Sequence, residues 1–134
     1  MAKYKEYTID DLNLESEIKT KIDNKEYPLA VFLAYSAIEC LTQKIILMTA
    51  KEIDADKANR INKIRLPQSA IFLYYQGEIK VEILEDIEKL ISKRHEYAHY
   101  FIKRYLSKKA YKLDTVCKLY RKIFRLYKKH LESK

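Results

Sequence analysis

The fold of this chain is decided by residues 28–51, which read PLAVFLAYSAIECLTQKIILMTAK. Pro28 suits the first turn of a helix, and apolar residues then recur on nearly every side of the helix that follows. A helix of that kind is buried all round, as at the centre of a bundle. Because Glu39 and Lys44 interrupt the stretch, we expect a buried core helix rather than a membrane span.

Helical periodicity continues on both sides of this central stretch. Thr8 is expected to cap a first helix, and apolar residues spaced three and four apart predict two long helices near the end of the chain. Two short helices are expected between them and the central helix, the second ending at Gly77. These four predicted helices cover about residues 55–64, 68–76, 80–106 and 110–131.

The composition agrees with a helical chain of one domain. With 134 residues, one Gly and 48% hydrophobic residues, the chain suits amphipathic helices better than a sheet of many hairpins. The polar start, MAKYKE, indicates neither a signal peptide nor a membrane anchor. We therefore predict a single all-α domain over residues 1–134, a cytoplasmic bundle of four main helices with one or two short helices between the second and third.

The excess of positive charge lies in the last quarter of the chain. Residues 103–134 hold 12 Lys and Arg against 2 Asp and Glu, whereas residues 1–102 hold 15 against 17. This asymmetry favours an acidic partner, with nucleic acid as the first candidate, although a solvated lysine-rich face has the same composition. The residues expected to hold an RNA backbone are Lys118, Arg121, Lys122 and Arg125.

One charged residue interrupts the apolar stripe of the predicted helix 80–106. Arg94 occupies a position in the series Leu84, Ile87, Ile91, Ala98, Phe101 and Tyr105. An unpaired charge facing a core costs several kcal/mol in order of magnitude, so Arg94 needs either a partner or water. Glu39, within the apolar central helix, is the expected protein partner. The alternative is a cleft in which Arg94 binds an external anion.

Arg94 also begins the segment Arg94-His95-Glu96-Tyr97-Ala98-His99, in which two chemistries can be recognised. As R-x4-H, it supplies a forked cation for a phosphate and an imidazole for proton transfer. On a regular helix Arg94 and His99 are about 140° apart, so they converge only if the helix distorts or if two copies share one site. As H-E-x-x-H, the same letters match a zinc-binding helix, with Glu96 as a base.

The R-x4-H motif, its position in the chain and the order of helices resemble the HEPN superfamily (higher eukaryotes and prokaryotes nucleotide-binding). The resemblance implies a metal-independent endoribonuclease in which Arg94 binds the scissile phosphate and His99 acts as acid and base on the ribose 2′-OH. The products would be 2′,3′-cyclic phosphate and 5′-OH ends. His95 follows the Arg, where the family often has a polar residue.

The same resemblance implies partners and a biological setting. Family members often form homodimers with a shared site, need no cofactor or metal, and act in toxin–antitoxin or antiviral systems. One branch pairs with a nucleotidyltransferase antitoxin and extends the motif to R-x4-H-x-Y. This chain has Phe101 at that last position, so control through that Tyr is in doubt.

Two other functions remain open from the sequence. A non-catalytic HEPN-like module would bind nucleic acid, a nucleotide or a protein without chemistry. A zinc hydrolase would use His95 and His99, but a third ligand at a diagnostic spacing is missing, since the remaining candidates are Asp114 and His130.

Overall fold

The computed structural model of this chain describes residues 14–50, 54–103 and 113–133, and within them the chain is helical with no strand. This confirms the predicted all-α class. Thr8 and Tyr105 lie outside the described residues. The principal helices are α1 Leu14–Asp23, α2 Tyr27–Thr49, α3 Ala55–Ile61, α4 Leu66–Tyr75, α5 Val81–His99 and α6 Asp114–Glu132.

Helix α2 is the centre of the bundle, as its apolar sequence predicts. It contacts α1, α3, α4, α5 and α6, and the neighbours α1, α6, α5 and α4 also contact one another in that order around it. By length and composition α2 is the one described helix that could cross a membrane, but half of its apolar stretch is buried inside the bundle. Its hydrophobicity is therefore used for packing against five other helices.

The ends of the short helix α4 follow from local chemistry. Pro67 lies in its first turn, as predicted, and the Leu66 N–H donates a hydrogen bond of 2.8 Å to Glu39 Oε2. The first N–H groups of a helix have no partner within the helix, so Glu39 satisfies one of them from α2. At the other end Gly77 has a φ of 76°, which a glycine adopts at little cost.

Helix α5 differs from its prediction in the members of its buried stripe and in its length. The core-facing residues are Ile87, Leu90 and Tyr97, with Arg94 half-buried between them, whereas Ala98 is exposed. The buried stripe differs from the predicted one because α5 packs against α2, α4 and α6 at once. Tyr97 is buried in the core, where the sequence pattern had placed Ala98. The continuous helix ends at His99, not near residue 106, since Tyr100 leaves helical geometry at φ −121° and ψ 36°.

Helix α6 buries one face against α2, α1 and α5. Its buried residues include Val116, Tyr120, Ile123 and Tyr127, but Leu131 is 40% exposed because the helix passes the end of the core there. His130 Nε2 lies 2.7 Å from Glu78 Oε2 and joins the end of α6 to the α4–α5 turn. Helices α5 and α6 are consequently antiparallel neighbours.

We predict that Glu39→Ala lowers the free energy of unfolding by about 1–3 kcal/mol, because the Leu66 N–H loses its acceptor. Glu39→Gln retains an acceptor oxygen and should cost less. Urea denaturation measures both. Ser36→Ala, at an exposed position of the same helix, is the control. If Glu39→Ala and Ser36→Ala unfold at the same urea concentration, the Glu39 contact contributes nothing.

Candidate active site

Arg94 is held by an aromatic ring rather than by a carboxylate. Its guanidinium carbon lies 4.6 Å from the centre of the Tyr35 ring, and Tyr35 is only 5% exposed. The negative face of an aromatic ring stabilises a cation, and a planar guanidinium can stack on it. The expected ion pair between Arg94 and Glu39 does not form, and Glu39 accepts a hydrogen bond from the Leu66 N–H.

Two charged groups from outside α2, those of Arg94 and Arg65, act on Tyr35, which lies one turn before Glu39 on α2. Burial raises the pKa of Tyr35 above its ordinary value. Glu39 raises that pKa further, and the positive charges of Arg94 and Arg65 oppose the rise. Glu39, Arg94 and Arg65 therefore all lie within electrostatic reach of Tyr35. They mark the end of the bundle where α4 begins and the last turns of α5 pass by.

His95 and His99 lie on a different side of α5 from Arg94. Both are exposed, and their ring centres are 5.3 Å apart, as expected for residues one turn apart. His99 also contacts Tyr100, with ring centres 5.6 Å apart at a steep angle. Because α5 is regular up to His99, Arg94 faces α2 while His99 faces solvent. One copy of the chain does not bring the two side chains together.

Phe101 has a packing role at the position where one HEPN branch has Tyr. Its ring stacks on Phe32 of α2, with ring centres 5.8 Å apart and planes 14° apart. The contact lies directly after the break at Tyr100, so it fixes the direction in which the chain leaves α5. Phe101 therefore belongs to the apolar part of the bundle.

A groove of about 440 Å³ runs between α4 and α5 and reaches His95. Its walls are mostly apolar and include Pro67, Ile71 and Ile91, with Glu88 as a charged member. Ile71 is 50% exposed. The groove places an open, largely apolar surface directly beside the motif.

The zinc arrangement gains no further ligand from the fold. Among residues 14–50, 54–103 and 113–133, no group of three or more His, Cys, Asp or Glu side chains is arranged to hold a metal ion. His130 pairs with Glu78 at the start of α5, the opposite end from His95 and His99. The remaining candidate, Asp114, is an exposed residue in the first turn of α6.

The four basic residues expected to contact RNA are all exposed on α6, but one of them is already engaged. Arg121 Nε donates a hydrogen bond of 2.8 Å to Glu15 Oε1, and its Nη2 donates to the same oxygen. This hydrogen bond raises the pKa of the Arg121 guanidinium. Lys118, Lys122 and Arg125 lie on the side of α6 that points away from the buried stripe.

Two residues of this site were missed from the sequence, Tyr35 and Arg65. A tyrosine within an apolar helix predicts only burial, although its position one turn before Glu39 was a usable signal. Arg65 gave no signal, because its place depends on the contact between Leu66 and Glu39, which are 27 residues apart.

No protein-family model, curated protein or solved structure matches this chain.

Proposed function

We propose that this chain is a metal-independent endoribonuclease of the HEPN type that leaves 2′,3′-cyclic phosphate and 5′-OH ends. The observation that carries the proposal is Arg94, a half-buried guanidinium that rests on the Tyr35 ring and pairs with no carboxylate among the described residues. It lies at the end of the bundle that also carries the exposed imidazole of His99. A cation that pairs with no carboxylate of the described residues, at the same end of the bundle as an imidazole, is suited to a phosphodiester.

In the proposed reaction Arg94 binds the non-bridging oxygens of the scissile phosphate and stabilises the charge that develops there. The imidazole of His99 removes the proton of the ribose 2′-OH. The 2′-oxygen then bonds to phosphorus, the bond from phosphorus to the 5′-oxygen breaks, and that oxygen takes up the proton that the His99 imidazole now carries. His95, whose ring lies beside that of His99 at a tilt of 38°, would orient the His99 imidazole.

The divergence of Arg94 and His99 supports a homodimer with a shared site. In a two-fold dimer, Arg94 of one copy can face His99 of the other, so that each of the two sites holds one guanidinium and one imidazole. The groove beside His95 offers an apolar surface of the kind that a second copy could cover.

The setting that we propose is the cytoplasm, in a toxin–antitoxin or antiviral system. An RNase of this kind needs restraint in its own cell, so an antitoxin or nucleotidyltransferase partner is part of the proposal. At the last position of the R-x4-H-x-Y motif this chain has Phe101, which packs against Phe32. Restraint through modification of a tyrosine at position 101 is therefore not available.

A second candidate is a non-catalytic RNA-binding module. It is favoured by one observation, that Arg94 and His99 face different directions in one copy. In that case the exposed cations of α6 would carry the whole function.

Incubation of end-labelled single-stranded RNA with the protein in excess EDTA tests the proposed reaction. We expect cleavage by the wild type and a loss of at least roughly 100-fold for His99→Ala, the usual scale of general acid–base catalysis. Lys103→Ala, at an exposed position just after the motif, is the matched control and should cleave normally. Equal cleavage by His99→Ala and the wild type would exclude His99 from the reaction. Binding without cleavage by the wild type would favour the binding module.

Mixing two inactive variants tests the shared site. Arg94→Ala and His99→Ala should each be inactive alone, but after subunit exchange half of the dimers are mixed and each holds one intact site of two. The expected activity is about one quarter of the wild type. A mixture that stays inactive, although exchange is shown by mass spectrometry, would mean that each site lies within one copy.

The salt dependence of RNA affinity tests which of the four cations of α6 contact the RNA backbone. If Lys118, Lys122 and Arg125 each neutralise one phosphate of a single strand, replacing any of them by Ala should reduce the slope of log affinity against log salt by roughly 0.7. Arg121→Ala should change the slope less, because Glu15 already neutralises that guanidinium. If all four variants keep the wild-type slope, the basic face of α6 does not contact RNA.

A further inference from the structure

Three helices bring a second arginine to the site of Arg94. Tyr35 and Glu39 share one face of α2, and Arg94 of α5 stacks on Tyr35. The Leu66 N–H bonds to Glu39 at 2.8 Å, and Arg65 is the residue that caps α4 immediately before it. The contacts of Tyr35 and Glu39 thus place the start of α4, with Arg65, beside the last turns of α5.

The charges in this cluster leave room for one anion. The charged groups that act on Tyr35 are two guanidinium groups, those of Arg65 and Arg94, and one carboxylate, that of Glu39, so the cluster has an excess of one positive charge. One oxygen of Glu39 is used on the Leu66 N–H. Within the described part of the chain, neither guanidinium donates a hydrogen bond or forms an ion pair. A phosphodiester has one negative charge and two non-bridging oxygens, which matches this excess and these donors.

The two arginines differ in freedom of movement. Arg94 is half-buried and lies against an aromatic ring, whereas Arg65 is exposed at the capping position just before α4. The Arg94 side chain is therefore held in place, whereas the Arg65 side chain can change conformation to contact a bound group. Glu39 lowers the repulsion between the two cations while the site is empty of an anion.

We propose that Arg65 is a second phosphate-binding residue, which closes on the phosphodiester group that Arg94 holds. The inference rests on the proposed function in one respect, because it takes the RNA backbone as the source of the phosphodiester. Arg65 lies outside the R-x4-H motif and outside the basic face of α6.

A short RNA that cannot be cleaved tests Arg65 without relying on catalysis. The probe is a tetranucleotide with 2′-O-methyl groups, whose affinity is measured for the wild type, Arg65→Ala, Arg65→Lys and Arg60→Ala. Arg60 is the matched control, since it is an exposed arginine five residues away that pairs with Asp56 at 3.1 Å. We expect Arg65→Ala to weaken binding roughly tenfold and Arg60→Ala to bind as the wild type. Arg65→Lys should fall between them, because it keeps the charge but loses the fork.

Equal affinities of Arg65→Ala and Arg60→Ala would overturn the assignment of Arg65. Urea denaturation of both variants checks that the exposed substitutions leave the fold intact. Cleavage of ordinary RNA in EDTA is a separate measurement. If the wild type binds the tetranucleotide through Arg65 but does not cleave RNA, the phosphate site stands and the proposed nuclease function fails.

Discussion

The contact between Arg94 and Tyr35 is the interaction on which the candidate site depends. A cation on the core-facing stripe of α5 is tolerated because an aromatic face lies 4.6 Å away. Arg94 does not form an ion pair with Glu39, and the Glu39 carboxylate accepts a hydrogen bond from the first N–H of α4. The start of α4, and with it the position of Arg65, depends on this contact between Glu39 and Leu66.

The same contact fixes what one copy of the chain can do. A regular helix that points Arg94 at α2 must point His99 elsewhere, and α5 remains regular up to His99. The proposed chemistry therefore needs groups from two copies, or an RNA that bridges the two directions. The apolar groove beside His95 and the cationic side of α6 are separate surfaces, so the proposed association between copies and the proposed RNA binding use different residues.

Much of the fold could be predicted from the sequence, because its signals are local. The apolar α2, Pro67 in the first turn of α4 and Gly77 at its end each depend on a few neighbouring residues. The departures depend on distant contacts. Tyr97 replaces Ala98 in the core because of the way three helices meet, and Arg121 is engaged by Glu15, which is 106 residues away in sequence.

For the candidate site, too, local features could be predicted from the sequence and contacts between distant residues could not. The motif from Arg94 to His99 can be recognised from its letters, but the partner of Arg94 cannot. The charges indicated Glu39 as the partner of Arg94, whereas in the structure Glu39 accepts a hydrogen bond from the backbone N–H of Leu66. Tyr35 stabilises Arg94 through its ring, a role that no charge pattern indicates.

The most direct measurement of the central claim uses an RNA strand with a single cleavage position and a twin that carries one 2′-deoxyribose there. Attack by the 2′-OH predicts that the protein cuts the first strand in EDTA and leaves the twin intact at that position. Cleavage of both strands at equal rates would contradict the account, because the phosphodiester would then be attacked by something other than the neighbouring ribose.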